Sequence, residues 1–123
     1  MNSFLGFLKE ENMSLFTDFY ELTMCASYFD NKDFEAATFD LFIRRLPENR
    51  SYFLFAGLEQ CLLYLQNIKF TDEHIAYLRT QGFNQDFLDY LRGFKFTGEV
   101  WAVPEGSVAF PNEPLIRVTA PII

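Results

Sequence analysis

The spacing of apolar and polar positions along this chain changes period twice, and the changes mark out its elements. From residue 19 to residue 29 the apolar residues Phe19, Leu22, Cys25, Ala26 and Phe29 recur at spacings of three and four, the buried stripe of an amphipathic helix. Asp18 precedes the stripe and Glu21 follows three places later, so a capping box with Asp18 at the N-cap is expected to start the helix. Tyr20 lies about 100° round that helix from Phe19, off the stripe and able to face something else. After the polar turn Asp30-Asn31-Lys32-Asp33, residues 35–45 alternate. Ala37, Phe39, Leu41 and Ile43 share one face of the expected strand, and Thr38, Asp40, Phe42 and Arg44 share the other. Arg44 and Arg45 end the strand just before the turn Leu46-Pro47-Glu48-Asn49, which places the pair at an edge or rim.

Ser51 to Phe55 can form a second strand, and Gly57 then opens a helix to about Ile68, with Leu58, Cys61, Leu62, Leu65 and Ile68 as its stripe. Glu59, in its first turn, complements the helix dipole. Thr71 is expected to cap a third helix, with Asp72 and Glu73 in the first turn, Ile75 and Leu78 inward, and Gly82 as the stop. His74 is the only histidine; it falls in that first turn without a Ser, Cys or Asp partner at useful spacing, and reads as surface or boundary, not catalytic. Asn84 caps a short fourth helix in which Phe87, Leu88 and Leu91 pack and Gly93 is the natural C′ residue. From Phe94 the period becomes two. Pro104-Glu105-Gly106 and Pro111-Asn112-Glu113-Pro114 then divide the remainder into three short strands, for which a meander is the simplest arrangement. Glu105 and Glu113 read as turn residues, and Arg117 points to the face opposite Ile116 and Val118. The fold class is α+β.

Composition narrows the functional classes. The 123 residues, half of them apolar, are the size of one ordinary domain. Sixteen Phe, six Tyr and one Trp are a load whose natural place is a core or an interface that excludes water, so a subunit or domain contact is expected. A formal charge of −7 argues against a nucleic-acid or anionic-membrane surface. The only dense basic group is Arg44, Arg45 and Arg50. Cys25 and Cys61 have no metal-ligand spacing and read as reduced thiols of a cytoplasmic protein. The sequence signals neither export nor membrane insertion, and no window approaches bilayer length. The apolar end Thr119-Ala120-Pro121-Ile122-Ile123 leads us to expect a chain cut from something longer.

Candidate chemistry concentrates at the start of the first helix. A helix N-terminus carries unpaired N–H groups, and the ring of Tyr20 beside the carboxylate of Asp18 could frame a flat polar ligand. The competing reading is that Asp18 only caps and Tyr20 only packs. There is no Gly-rich phosphate loop, no paired metal-ligand motif, and no nucleophile with a base at recognisable spacing.

The segments Thr17-Asp18-Phe19-Tyr20-Glu21-Leu22-Thr23-Met24, Phe39-Asp40-Leu41-Phe42-Ile43-Arg44-Arg45-Leu46-Pro47 and Phe55-Ala56-Gly57-Leu58-Glu59 occur in one order with three more. Those are Phe94-Lys95-Phe96-Thr97-Gly98-Glu99-Val100, Val103-Pro104-Glu105-Gly106 and Glu113-Pro114-Leu115-Ile116-Arg117-Val118. In that order the chain resembles the nicotinate phosphoribosyltransferases from about Leu15 to its end. The resemblance implies an N-terminal α+β domain of the hammerhead type over residues 15–123, preceded by an extension of residues 1–14, with the barrel domain absent. It implies an enzyme that joins nicotinate to phosphoribosyl pyrophosphate in NAD salvage, using ATP and magnesium, with no cofactor bound to this fragment. By the same resemblance Tyr20 stacks on the pyridine ring, Asp18 lies near ring and ribose, and Arg44 or Arg45 faces phosphate. The active site would form against the barrel of a neighbouring subunit in a homodimer, and the fragment alone would be inactive. The alternatives are the N-terminal domain of a nicotinamide phosphoribosyltransferase and a non-catalytic binding or assembly module.

Overall fold

A computed structural model describes residues 10–123. A 3-10 helix, Glu10–Leu15, leads into helix α1, Phe19–Asp30. Strand β1, Ala36–Leu41, and the two-residue strand β2, Phe53–Leu54, follow. Three helices come next: α2, Leu58–Asn67; α3, Asp72–Thr80; and α4, Gln85–Arg92. Strands β3, Glu99–Ala102, β4, Val108–Ala109, and β5, Ile116–Pro121, close the chain. The class is α+β, as the changes of period indicate.

The helical core is made where the stripes of α1, α3 and α4 meet. Leu22, Ile75, Leu78, Phe87, Leu88 and Leu91 are buried together, with Cys25, Ala26 and Phe29 partly buried against them. Phe19, placed by its spacing on the same stripe, is half exposed. It lies in the first turn, where the helix has begun to leave the core. Ahead of α1, Ser14 is buried, and its hydroxyl donates to the carbonyl of Lys69, tying the 3-10 helix to the connection between α2 and α3.

His74 corrects one expectation. It is buried, and its ring Nδ1 accepts from the Thr71 N–H at 3.3 Å while its own N–H donates to Thr71 Oγ1, a capping box with histidine in the place usually held by Glu or Gln. Apolar packing on the edge of Phe70 carries the ring inward. The lone histidine is therefore committed to the start of α3. Gly82 stops α3 as expected, with φ +88°, a left-handed conformation that costs glycine little. Gly93 instead sits at φ −90°, so the end of α4 needs no left-handed residue.

The last three strands do not form a meander. One sheet has the order β1-β5-β3, antiparallel throughout, and a separate two-stranded sheet pairs β2 with β4. Alternation within a strand reports which side chains share a face, but not which neighbour accepts its backbone bonds. Here Phe55 N–H donates to Ser107 O at 2.9 Å and Gly106 N–H donates to Phe55 O at 2.8 Å, so β4 joins the exit of β2. The chain then returns past β1, where Asn112 N–H donates to Ile43 O and Leu115 N–H to Leu41 O, both at 2.8 Å, and β5 enters between β1 and β3.

The second core cluster lies under this sheet. Phe55, Ala109, Leu115 and Ile116 are buried, joined by Leu58 and Cys61 of α2 and by Val100 and Val118. Phe39 lies across from Val118, and Val118 from Val100, so one apolar face spans all three strands. Its cover stops short: Phe39 and Leu41, on the edge strand, are 62% and 56% exposed. The stripe of α2 is also incompletely covered, since none of its residues is fully buried and Leu62 is exposed.

Candidate functional site

Asp18 occupies the N-cap of α1 with extended backbone (φ −72°, ψ 140°), as the sequence indicates, but its side chain makes no capping hydrogen bond. Its backbone carbonyl accepts from Glu21 N–H at 3.0 Å instead. The helix end opens to solvent, where water can take the remaining N–H groups, so the carboxylate is not drawn back onto them. The expected capping box is absent, and the Asp18 carboxylate stays exposed beside the helix end.

Tyr20 is 59% exposed, two residues further on. Thr23 Oγ1 donates to the Tyr20 carbonyl at 2.8 Å, a bond that leaves the phenol ring unengaged. Met24, one turn along the same helix face, is also exposed, as is Phe16 just ahead of the helix. An aromatic ring, a thioether and a carboxylate thus form an outward surface at one end of α1. Sequence reasoning singled out Asp18 and Tyr20 and passed over Met24, whose i+4 spacing from Tyr20 was the available signal.

Arg44 and Arg45 are both exposed and lie past the end of β1, which stops at Leu41. The hydrogen bond from Asn112 N–H to Ile43 O holds the backbone that leads to them. They stand at a rim, and among the described residues no hydrogen bond or ion pair joins them to Asp18 or Tyr20.

Two other polar groups are placed by the sheet. Asp40 on β1 faces Arg117 on β5, which donates Nε–H and Nη2–H to the two carboxylate oxygens at 2.7 and 2.8 Å. That paired hydrogen bond, with the nearby positive charge, holds the Asp40 carboxyl below the usual aspartate value and raises Arg117. Trp101 on β3 is the next residue in the same row and is 71% exposed beside an open cavity of about 480 Å³. Glu105, expected to serve a local turn, instead reaches α2. Its Oε1 accepts from Gly57 N–H and, at 2.7 Å, from Leu58 N–H. Gly57 cannot cap with a side chain, so a carboxylate 48 residues away in sequence caps the helix for it. Glu113 does serve its turn, accepting from Phe110 N–H at 2.9 Å.

Both cysteines are free and partly buried, and burial raises each thiol above its ordinary pKa, with Glu21 adding to the effect at Cys25. Neither is poised as a nucleophile. The aromatic load serves the surface more than the core. Among the described phenylalanines only Phe55 and Phe87 are buried, whereas Phe16, Phe39 and Trp101 are each more than 60% exposed.

These features define an α+β domain with an exposed helix end and broad exposed aromatic surfaces. The chain belongs to the nicotinate phosphoribosyltransferase family: residues 15–123 match the profile described as the nicotinate phosphoribosyltransferase (NAPRTase) N-terminal domain. It is 46% identical over 111 residues to a nicotinate phosphoribosyltransferase of Mycobacterium tuberculosis, covering 89% of this chain and 24% of that protein. With the Bacillus subtilis enzyme of the same name it shares 44% identity over 117 residues, 94% of this chain and 24% of that one. The crystal structure of human nicotinic acid phosphoribosyltransferase superposes with a TM-score of 0.77 at 34% identity, over 88% of this chain and 23% of that one. The chain thus spans about a quarter of the length of the relatives it matches.

Proposed function

We propose that the whole protein carrying this domain is a nicotinate phosphoribosyltransferase, joining nicotinate to phosphoribosyl pyrophosphate to give nicotinate mononucleotide and pyrophosphate in NAD salvage. The observation that carries the reading is Tyr20, a ring exposed beside the Asp18 carboxylate at an uncapped helix end, in a chain of this family.

Glycosyl transfer requires a held nucleophilic nitrogen, a screened leaving group, and cations for the charge that develops. Tyr20 offers a face on which a pyridine ring can stack, holding its nitrogen in line. Asp18 lies beside the ring and ribose, and Arg44 or Arg45 faces phosphate from the rim of the sheet. Residues 15–123 act as one domain behind an extension of residues 1–14; the family match, which begins at residue 15, supports that division. Among the described residues no three of His, Cys, Asp and Glu converge so as to hold a metal ion. Magnesium and ATP belong, on this reading, to the whole enzyme.

The partner surface is the barrel of a neighbouring subunit in a homodimer, a role supported by the exposed aromatic residues on α1 and the sheet. A cytoplasmic location is supported by the two unpaired thiols. No helix among the described residues is long and apolar enough to cross a membrane.

The test is product formation by the purified whole gene product, after its intact mass has been measured against the 14.4 kDa of this chain. Nicotinate mononucleotide made from nicotinate and phosphoribosyl pyrophosphate, faster with ATP, is the expected result. Preference for nicotinamide would assign the protein to the amide-using relatives. Absence of any product from either base would leave a non-catalytic assembly module as the reading. Residues 1–123 alone are expected to be silent in the same assay.

A further inference from the structure

The first turn of α1 has an unusual support. Its N-cap side chain makes no bond to it, and its first buried residue is Leu22; the chain ahead of it is anchored by Ser14 and Leu15, and within the first turn itself Phe19 supplies an aromatic contact. Phe19 packs edge-on against Phe83, with ring centroids 5.7 Å apart at 61°. Phe83 comes from the connection between α3 and α4, directly after Gly82, whose left-handed conformation turns the chain there. Phe83 in turn rests on Phe87 at 5.7 Å, and Phe87 is 1% exposed. The far end of α1 meets the same buried ring, through Phe29 at 5.7 Å. One continuous aromatic series therefore fixes α1 at both ends, and Phe83 is the link that reaches the exposed one.

We propose that Phe83 is a positioning residue for Tyr20: by holding Phe19 edge-on, it sets the rotation of the first turn of α1 and so the direction in which Tyr20 faces its ligand. The inference rests on the reading of Tyr20 as the residue that stacks on the substrate ring. Tyr20 follows Phe19 at about 100° on a rigid helical turn, so a rotation that displaces one displaces the other by the same angle. Aromatic stacking depends on offset, and a displacement of about 1 Å is enough to weaken a productive pose. Phe83 needs no contact with substrate to act in this way, and its effect should fall on the ring-bearing substrate alone.

The experiment is steady-state kinetics on the whole gene product, with KM for nicotinate and for phosphoribosyl pyrophosphate measured separately. The variants are Tyr20→Ala, Phe83→Leu, Phe83→Tyr, Phe19→Leu and the double variant Phe19→Leu/Phe83→Leu. Phe83→Leu keeps the site apolar and removes the ring. It should raise KM for nicotinate about 3- to 10-fold, with kcat and KM for phosphoribosyl pyrophosphate near wild type. Phe83→Tyr should restore the wild-type value. Phe19→Leu should match Phe83→Leu, and the double variant should be no worse than either, because both remove one contact. If Tyr20→Ala is selective for nicotinate while Phe83→Leu affects both substrates equally, or only lowers the thermal midpoint, Phe83 is merely structural and the inference falls while the stacking reading stands. If Tyr20→Ala itself weakens both substrates equally, the stacking reading falls and this inference with it.

Discussion

Asp40 and Arg117 meet across β1 and β5 as a bidentate pair, with both carboxylate oxygens within 2.8 Å of guanidinium nitrogens. Their residues are direct partners in the strand register, so the pair reports whether β1 is docked. The carboxyl has a folded-state pKa below its ordinary value of 3.8, chiefly because of the hydrogen bonds from Arg117. A depressed carboxylate contributes stability that is fully present above the unfolded-state value and is lost as pH falls through the folded-state value. Thermal unfolding of wild type and Asp40→Asn, followed from pH 7 downward, should therefore show a gap that persists to the ordinary aspartate range and closes below it. The gap at neutral pH should be small and should shrink in high salt, because both side chains are partly open to water. A gap independent of pH would mean that the pair does not titrate as a unit of the fold.

Glu105 caps α2 from the far side of a chain reversal. Glu105→Ala should cost about 1–2 kcal/mol of unfolding free energy, the usual range for a lost N-cap partner. Glu105→Gln keeps an acceptor but loses the charge that complements the helix dipole, so its loss should be smaller. Denaturant titration monitored by far-ultraviolet circular dichroism reads both. Equal stability of all three proteins would count against the cap.

Gly98 precedes β3 where that strand passes close to β5. A Cβ there would sit 2.5 Å from both the Ala120 Cβ and the Thr119 carbonyl oxygen. The carbonyl is main chain within a paired strand and cannot yield as a flexible side chain would. Gly98→Ala should cost about 1–3 kcal/mol by forcing β3 and β5 apart. A denaturation midpoint within error of wild type would show that the strands separate without penalty.

Met24 separates stability from assembly. It is 46% exposed on the face of α1 that also carries Tyr20, so Met24→Asp should change domain stability by no more than about 0.5 kcal/mol. If that face meets a neighbouring subunit, the same variant should shift the whole protein toward smaller species in analytical ultracentrifugation at micromolar concentration. Unchanged sedimentation would remove this face from the interface.

Much of the local structure was legible in the sequence. The spacing of Leu22, Ile75, Leu78, Phe87, Leu88 and Leu91 marks all six as inward-facing, and all six are buried. Thr71, Gly82 and Glu113 take the local roles their residue types favour. Periodicity also places Tyr20 off the buried stripe, where the structure leaves it exposed. His74 was misplaced because a histidine accepting a backbone N–H through Nδ1 can complete a capping box, and nothing in its spacing separates that from an exposed ring. Glu105 was misread because a carboxylate next to a proline and a glycine is equally suited to a local turn, and its partners are 47 and 48 residues away.

The sequence by itself determined the main helices and strands, the α+β class, the buried stripe of α1, α3 and α4 and the placing of Tyr20 off it, because each depends on residues within a turn or two of one another; the capping box expected at Asp18 did not form. Its ordered motifs also carried the resemblance to nicotinate phosphoribosyltransferases, which the family match bears out. Only the tertiary structure decided that β5 lies between β1 and β3, that β4 leaves them to pair with β2, and that Arg117 holds Asp40. It alone showed that Glu105 caps α2 and that Phe83 braces Phe19. The physical reason is common to all of these: an edge strand, an uncapped helix end or an exposed ring is a set of unsatisfied groups with several possible partners. Which partner is taken depends on chain segments far apart in sequence arriving at the same place.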